Sequence, residues 1–218
     1  MAEIRRFPAW VSLVEVAVFY GLAQLVIWGG EKLRPTVLLI AIVLLAVCIC
    51  SNVLHGDSLR RIGLSSEELW PCARLVAIVS VPLLIPLMFF AWKNRFYAPW
   101  DTAFALLGYP LWGFVQEYAL LGFVANRLED GMERQVALVP WVNGLLFSMA
   151  HLPNPVLMTA TFISGVLFTQ IFLRHRQLVP IAIAHALFGI GISLAFSAIN
   201  GVMSVGPGYG LRIGSPPQ

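Results

Sequence analysis

The chain has 218 residues, of which 59% are hydrophobic and only 11% are charged, and its mean hydropathy is +0.81. A soluble domain carries about 25% charged residues, so the composition excludes a soluble globular protein and indicates a chain solvated by a lipid bilayer. The net charge of +3 comes largely from basic residues at the ends of apolar runs, which is typical of membrane proteins and argues against nucleic acid as a partner. We expect a single integral membrane domain over residues 1–218.

Seven apolar segments follow one another along the chain, with short polar stretches between them. Each is too long and continuous for a barrel strand, and a helix satisfies all of its backbone groups within the segment. The segments are residues 10–28, 36–54, 71–92, 102–125, 136–152, 156–173 and 178–199. The sequence therefore predicts an all-α fold, a polytopic transmembrane helical bundle of about seven spans.

One of the polar stretches, residues 57–69, carries the signals of a short helix at the membrane surface. Ser65 or Ser66 could cap such a helix at its N-terminus, and Glu67 and Glu68 suit its first turn. We expect one short interfacial helix here in addition to the spans.

The distribution of Lys and Arg between the two sides predicts the orientation. With seven spans, nine of these residues fall on the N-terminal side and five on the other side. This bias predicts a cytoplasmic N-terminus in a multi-pass protein, and we expect the membrane to be a bacterial inner membrane.

Ionisable residues lie inside several of the apolar segments. Glu117 lies deep in the fourth segment beside Gln116, His151 lies near the end of the fifth and His185 lies inside the seventh. A charge in the middle of a bilayer costs about 2.5–3.5 kcal/mol on insertion scales, so such residues usually mark a functional site. Glu15 is only a few residues into the first segment, where a local ion pair would explain it.

The three residues Glu117, His151 and His185 are compatible with more than one chemistry. A buried carboxylate can act as general base on water, and histidines can share that water or donate to an oxyanion. The same side chains could hold zinc with water as the fourth ligand, or relay protons in a transporter. The residues and their spacing leave these alternatives open.

At these residues the chain resembles the CPBP family, which comprises CAAX proteases and bacteriocin-processing intramembrane proteases related to the Rce1-type prenyl-protein endopeptidases. The resemblance covers about residues 100–195. The first family motif, two glutamates followed by an arginine and a glycine, corresponds to Gln116-Glu117-Tyr-Ala-Leu-Leu121-Gly122. The second motif corresponds to Phe147-Ser-Met-Ala-His151, followed by Leu-Pro-Asn154-Pro, and the third corresponds to His185.

The resemblance implies an intramembrane endopeptidase of the glutamic type that hydrolyses a peptide bond through a glutamate-activated water. Its substrate would be a membrane-associated protein or peptide, in some members a lipidated one. The family pattern then makes Glu117 the catalytic base, with Gln116 holding substrate or water, His151 sharing the water and His185 stabilising the oxyanion. Phe147 and Asn154 would support the site or bind substrate. No cofactor is implied, and zinc is the alternative.

The sequence departs from the family pattern at three positions. Gln116 replaces the first glutamate, Leu121 replaces the arginine, and Gly189 stands where the third motif often has Asn. Adjacent helix positions point about 100° apart, so Glu117 could reach water only if the helix is rotated or locally unwound. The alternative is a non-catalytic relative that keeps the fold in a chaperone, immunity or scaffold role.

Overall fold

A computed structural model describes residues 7–29, 36–93, 101–196 and 203–209. Over these residues the fold consists of helices joined by short turns, without a strand, so the all-α prediction is confirmed for the described chain. The helices are α1 (Ala9–Trp28), α2 (Val37–His55), α3 (Leu69–Lys93), α4 (Asp101–Glu117), α5 (Asn126–Gly131), α6 (Val139–Met149), α7 (Pro155–His175) and α8 (Val179–Ala195). A π-helical segment, Tyr118–Ala125, joins α4 to α5, and a 3₁₀ turn, Val136–Leu138, precedes α6.

Each of the seven apolar segments coincides with a helical stretch, although the number of spans is not established. Three described helices are long and apolar enough by length and composition to cross a membrane, namely Ala9–Trp28, Leu69–Lys93 and Pro155–His175. Three further apolar helices are shorter, namely Leu39–His55, Val136–Met149 and Val179–Ala195. The number of about seven spans therefore remains a prediction. The structure shows three helices that are long and apolar enough to span a membrane.

The outer surfaces of α1, α2 and α3 are apolar. Large hydrophobic side chains such as Leu25 and Ile85 are more than 60% exposed. A water-facing surface would not carry such a continuous apolar layer, whereas lipid solvates it. Trp70 and Trp92, near the two ends of α3, are 80% and 71% exposed, as expected for indoles at the two membrane interfaces.

The segment between α2 and α3 forms turns and no helix, so the short interfacial helix expected over residues 57–69 is absent. Gly63 has φ +84°, which a helix does not allow, and its carbonyl accepts the backbone N–H of Leu178 at 3.0 Å. A Cβ at this position would lie 2.6 Å from Phe172 and 2.8 Å from Leu178. The segment thus packs its backbone against the α7–α8 turn, and the signals at Ser65–Glu68 stand directly before α3 instead of starting a separate helix.

A buried cluster of charges connects the helices at one end of the bundle. The guanidinium of Arg127 in α5 is fully buried, and its donors lie 3.0 Å from Glu15 of α1 and 2.9 Å from Asp57 after α2. It also donates to Ser51 at 3.1 Å and to Asn52 at 2.9 Å. Glu15 therefore has the local ion pair that the sequence suggested for it.

The charged end lies opposite the end of the bundle that carries His151. α6 and α8 start from the charged end and α7 ends there, so α6, α7 and α8 alternate in direction. The α6–α7 pair is tightly packed, because a Cβ on Gly144 would lie 2.6 Å from the Val166 side chain.

Candidate active site

A cavity of about 590 Å³ lies between the helices. Its walls come mainly from α1, α4, α7 and α8, with smaller contributions from α2, α3, the π-helical segment and α6, and most of its lining side chains are apolar. The polar lining side chains are Tyr20, Ser80, Tyr109, Gln116, His151, Thr161, Ser164 and His185. The volume lies in the range of small-molecule binding sites, and three of the four residues expected to be catalytic line it.

Glu117 and His185 form a direct pair between α4 and α8. Oε1 of Glu117 lies 2.6 Å from Nδ1 of His185. The carboxylate is fully buried, and its Oε2 has no hydrogen-bond partner among the described residues. The two helices approach closely at Gly113, where a Cβ would lie 3.4 Å from the Ala182 carbonyl oxygen. This small position allows a side chain from each helix to meet in the interface.

Glu117 does not line the cavity, whereas its neighbour Gln116 does. The two positions point about 100° apart on a helix, and the α-helical geometry continues through Glu117. The helix widens only from Tyr118 onward. The sequence-based role required Glu117 to face water. The structure instead places its carboxylate behind His185, away from the cavity wall.

His151 lies in the turn after α6 and faces the same cavity. Its Nδ1 lies 2.8 Å from the Phe147 carbonyl oxygen. A carbonyl only accepts, so Nδ1 carries the hydrogen, and Nε2 of the neutral ring is an acceptor. The Phe147 ring lies between the two histidines, with centroid distances of 5.1 Å to His151 and 5.6 Å to His185. Phe147 thus holds both imidazoles at one part of the cavity wall.

Asn154 occupies a structural position. Its Oδ1 accepts the backbone N–H of Leu157 at 3.2 Å and so caps the N-terminus of α7. Its Nδ2 donates to the Ser204 carbonyl at 3.1 Å, and the residue is buried away from the cavity. Of the two roles that the resemblance implied, support of the site or substrate binding, this position fits support, because Asn154 holds the turn that carries His151 and does not line the cavity.

Tyr109 is a cavity residue that the sequence analysis missed. Its hydroxyl lies 3.1 Å from the position that a Cβ on Gly189 would occupy, and its ring carbon Cε1 lies 2.4 Å from that point. The tyrosine ring therefore occupies the space that a side chain at position 189 would need. Its hydroxyl has no hydrogen-bond partner among the described residues. Tyr109 and Gln116 are seven residues apart, which places both on one helix face. This spacing is the sequence signal that could have identified Tyr109.

The part of the chain that the structure describes contains no group of three or more His, Cys, Asp or Glu side chains placed to hold a metal ion. Glu117 and His185 are in contact, but His151 uses its Nδ1 on a backbone carbonyl. The described geometry therefore gives no support to the zinc alternative, and the absence of a metal stays a prediction.

Comparison with known proteins identifies one family. Residues 98–191 match the model of the type II CAAX prenyl endopeptidase Rce1-like family. The matched region contains Tyr109, Gln116, Glu117, His151 and His185, so it covers the Glu117–His185 pair and most of the polar cavity wall, except Tyr20 and Ser80. The resemblance to the CAAX proteases is thereby confirmed over this region. No curated protein and no solved structure matches the chain.

Proposed function

We propose that this protein is an intramembrane endopeptidase that hydrolyses a peptide bond of a membrane-associated, lipidated protein or peptide. The match of residues 98–191 to a family of CAAX prenyl endopeptidases supports a protease of this class. The observation that carries the proposal is the contact between Glu117 and His185 at the wall of a cavity shared with His151 and Gln116. A buried carboxylate paired with an imidazole that faces a cavity is an arrangement suited to proton transfer.

His185 is the group that takes the proton from water in this mechanism. Its Nδ1 faces Glu117, which leaves Nε2 for the cavity. Nε2 accepts a proton from the water as the water oxygen attacks the carbonyl carbon of the peptide bond. The Glu117 carboxylate stabilises the imidazolium that results, as a buried carboxylate does behind a catalytic histidine. The proton then passes to the amide nitrogen, and the C–N bond breaks.

The remaining polar residues divide into acceptors and donors. His151 presents Nε2 as an acceptor, so it can hold the second hydrogen of the attacking water. Gln116 and Tyr109 can donate through an amide N–H and a hydroxyl, and these donors suit the negative charge that develops on the carbonyl oxygen. These roles differ from the sequence-based assignment, because His185 replaces Glu117 as the base and Glu117 acts through His185.

The apolar part of the cavity supports a lipid-bearing substrate. Most of the lining side chains are aliphatic or aromatic. A prenyl chain can pass from the bilayer into such surroundings at little cost, because both are apolar. The cavity would therefore hold the lipid and present the neighbouring peptide bond to the histidines.

The direct test is cleavage by the purified protein in lipid nanodiscs. The probe is a farnesylated peptide ending in a Cys-aliphatic-aliphatic-X sequence, with a fluorophore and a quencher on either side of the scissile region. We expect fluorescence to rise with the wild type and to stay flat with His185→Ala and His151→Ala. A wild type that binds the peptide but releases no fragment would contradict the proposal.

We also predict that turnover needs no metal. Protein purified without added metal should contain zinc well below one equivalent, and a chelator should leave the cleavage rate unchanged. Elemental analysis and the same fluorescence assay provide the two measurements. Stoichiometric zinc together with loss of activity on chelation would replace the water-activating role of His185 with a metal-bound water.

A non-catalytic role is the second candidate function. It is favoured by the complete enclosure of Glu117 and by Leu121, a fully buried apolar residue where the family has arginine. In that case the cavity binds a lipidated chain without cleaving it. The nanodisc assay separates the two, because a scaffold would bind the farnesylated peptide equally well with and without His185.

A further inference from the structure

A second surface feature lies at the charged end of the bundle, away from the active-site cavity. A groove of about 500 Å³ runs between the first turns of α3 and the last turn of α7. α3 contributes Trp70, Arg74 and Ile78 to its walls, and α7 contributes Arg174 and His175. The two arginines thus face the groove from two different helices.

These two arginines have no ion-pair partner among the described residues. The described arginines all lie near this end, and four of them are paired with carboxylates. The paired ones are Arg60, Arg61, Arg127 and Arg176. The three without a partner are Arg74, Arg134 and Arg174, all exposed. Two of these three line the groove.

Glu67 and Glu68, just before α3, are each paired with a side chain other than the two groove arginines. Glu68 lies 3.1 Å from Nδ1 of His175, and Glu67 lies 3.2 Å from Arg60. No Asp or Glu is among the described residues that line the groove. Two arginines therefore face the groove, against the one carboxylate of Glu68 beside His175, and the complementary ligand is an anion.

The rest of the groove has the character of a lipid-binding surface. Trp70, Arg74 and Ile78 follow at intervals of four residues, so they form one stripe along α3. Trp70 is 80% and Ile78 61% exposed, and the stripe continues into the apolar outer face of α3 at Ile85. The tryptophan suits the membrane interface and the cation one turn further suits a lipid headgroup. The apolar track beyond them suits the acyl chain.

We propose that this groove binds one anionic phospholipid, with its phosphate between Arg74 and Arg174 and an acyl chain along α3. A basic pocket between helices at one membrane surface is the setting in which anionic headgroups bind. The site is independent of the proposed catalytic activity. It uses no residue of the active-site cavity.

The test is native mass spectrometry of the purified protein with equal amounts of phosphatidylglycerol and phosphatidylcholine that carry identical acyl chains. We expect the wild type to retain phosphatidylglycerol preferentially. The double variant Arg74→Gln/Arg174→Gln should lose about tenfold or more of that preference, since each surface cation contributes about 1 kcal/mol to anionic lipid binding.

Arg134→Gln is the matched control, because Arg134 is exposed and has no ion-pair partner among the described residues but does not line the groove. It should keep the preference of the wild type. Equal retention of both lipids by the wild type would overturn the proposal. An equal loss in the control and the double variant would also overturn it, because net charge and not the groove would then be responsible. Circular dichroism of each variant verifies that the helices are intact.

Discussion

Glu117 is a carboxylate in apolar surroundings whose one described partner is an imidazole. Its Oε1 contacts His185, its Oε2 has no described hydrogen-bond partner, and Leu121 one turn later provides no charge. An isolated buried charge is costly, so the pair is the arrangement that makes this residue tolerable. The carboxylate and the imidazole should therefore behave as one unit.

The first prediction tests this unit by a double-mutant cycle. Glu117→Gln and His185→Ala should each lower kcat by about 10²-fold or more, the range of general acid–base catalysis. If Glu117 acts only through His185, then Glu117→Gln should cost nothing further in the His185→Ala background. Cleavage of the farnesylated peptide in nanodiscs is the measurement. Additive losses would show that Glu117 acts on water or substrate by itself.

The second prediction concerns the hydroxyl of Tyr109. Tyr109→Phe should lower kcat by about 10- to 100-fold with little change in KM, because it removes a donor to the oxyanion and retains the ring. Gly189→Ala should have a similar effect, since its Cβ would lie 2.4 Å from Cε1 of Tyr109 and displace the ring. Steady-state kinetics of the peptide cleavage reports both.

Tyr118→Phe is the matched control for this prediction. Tyr118 comes directly after α4, but its hydroxyl accepts a hydrogen bond from Asn52 at 3.0 Å and the residue does not line the cavity. Its activity should stay within about twofold of the wild type, a difference well under 1.4 kcal/mol. A loss equal to that of Tyr109→Phe would mean that the tyrosines act through stability and not at the site.

At the scale of elements, the π segment Tyr118–Ala125 connects α4, which carries Gln116 and Glu117, to α5 at the charged end. π-helical turns occur frequently at functional sites. Side-chain amides support this one: Asn143 donates to the Leu120 carbonyl at 3.2 Å, and Asn52 and Asn126 donate to the Gly122 carbonyl at 3.1 and 3.0 Å. These bonds satisfy backbone acceptors within a wide turn. The π segment thus sets the rotation of α5 relative to α4.

The third prediction concerns the packing of α6 against α7. A Cβ on Gly144 would meet the Val166 side chain at 2.6 Å and its backbone nitrogen at 2.9 Å. Because a backbone atom cannot move aside cheaply, Gly144→Ala should destabilise the protein by about 1–3 kcal/mol. The midpoint of thermal unfolding in detergent is the measurement.

Gly21→Ala is its control. A Cβ on Gly21 would have no heavy-atom neighbour within 4 Å, and the residue lies within α1. Alanine should therefore be neutral or stabilise by about 0.5–1 kcal/mol through the lower entropy of the unfolded chain. A Gly144→Ala midpoint equal to that of Gly21→Ala would show that α6 and α7 are not in the close contact described.

At the scale of the whole molecule, the Arg127 cluster links α5 to α1 and to the α2–α3 segment. It gathers charges from parts of the chain that are far apart in sequence, as in the pair of Arg127 with Glu15. Breaking a buried ion pair by removing one partner leaves an uncompensated charge. The cluster therefore determines how the N-terminal helix sits against the catalytic half.

The fourth prediction follows from this cluster. Arg127→Met should destabilise the protein by about 3–5 kcal/mol, because it removes the buried cation that Asp57 and Glu15 share and leaves Arg61 beside Asp57 and His55 beside Glu15 as their described partners. Arg60→Gln, which breaks the exposed pair with Glu67, should leave the midpoint nearly unchanged. Thermal unfolding of both variants in detergent is the measurement. Similar midpoints would show that water or another cation replaces Arg127.

The orientation of the whole molecule in the membrane was predicted from its basic residues. The sequence predicts a cytoplasmic N-terminus in a bacterial inner membrane. Six basic residues used for that prediction, Arg5, Arg6, Lys32, Arg34, Arg95 and Arg212, lie outside the described residues. The described arginines lie near one end of the bundle. The orientation and the kind of membrane thus stay predictions.

The sequence by itself determined that a lipid bilayer solvates the chain, that the fold is helical and which residues are candidates for the functional site. Hydrophobicity and the backbone rule for hydrocarbon act locally, so apolar runs predict helices without any knowledge of packing. The cost of an ionisable group in a bilayer likewise identified Glu117, His151 and His185 from their positions in apolar segments. The short helix predicted at residues 57–69 is absent, because the chain turns at Gly63 to pack against the α7–α8 turn and the signals at Ser65–Glu68 stand directly before α3.

The tertiary structure decided which side chains meet. It placed Glu117 behind His185, Gln116 at the cavity wall and Asn154 in a helix cap, and it brought Tyr109 to the site. These outcomes depend on the rotation of one helix against another, and small residues such as Gly113 and Gly189 govern how closely the helices approach. Neither quantity is encoded in the periodicity of a uniformly apolar segment.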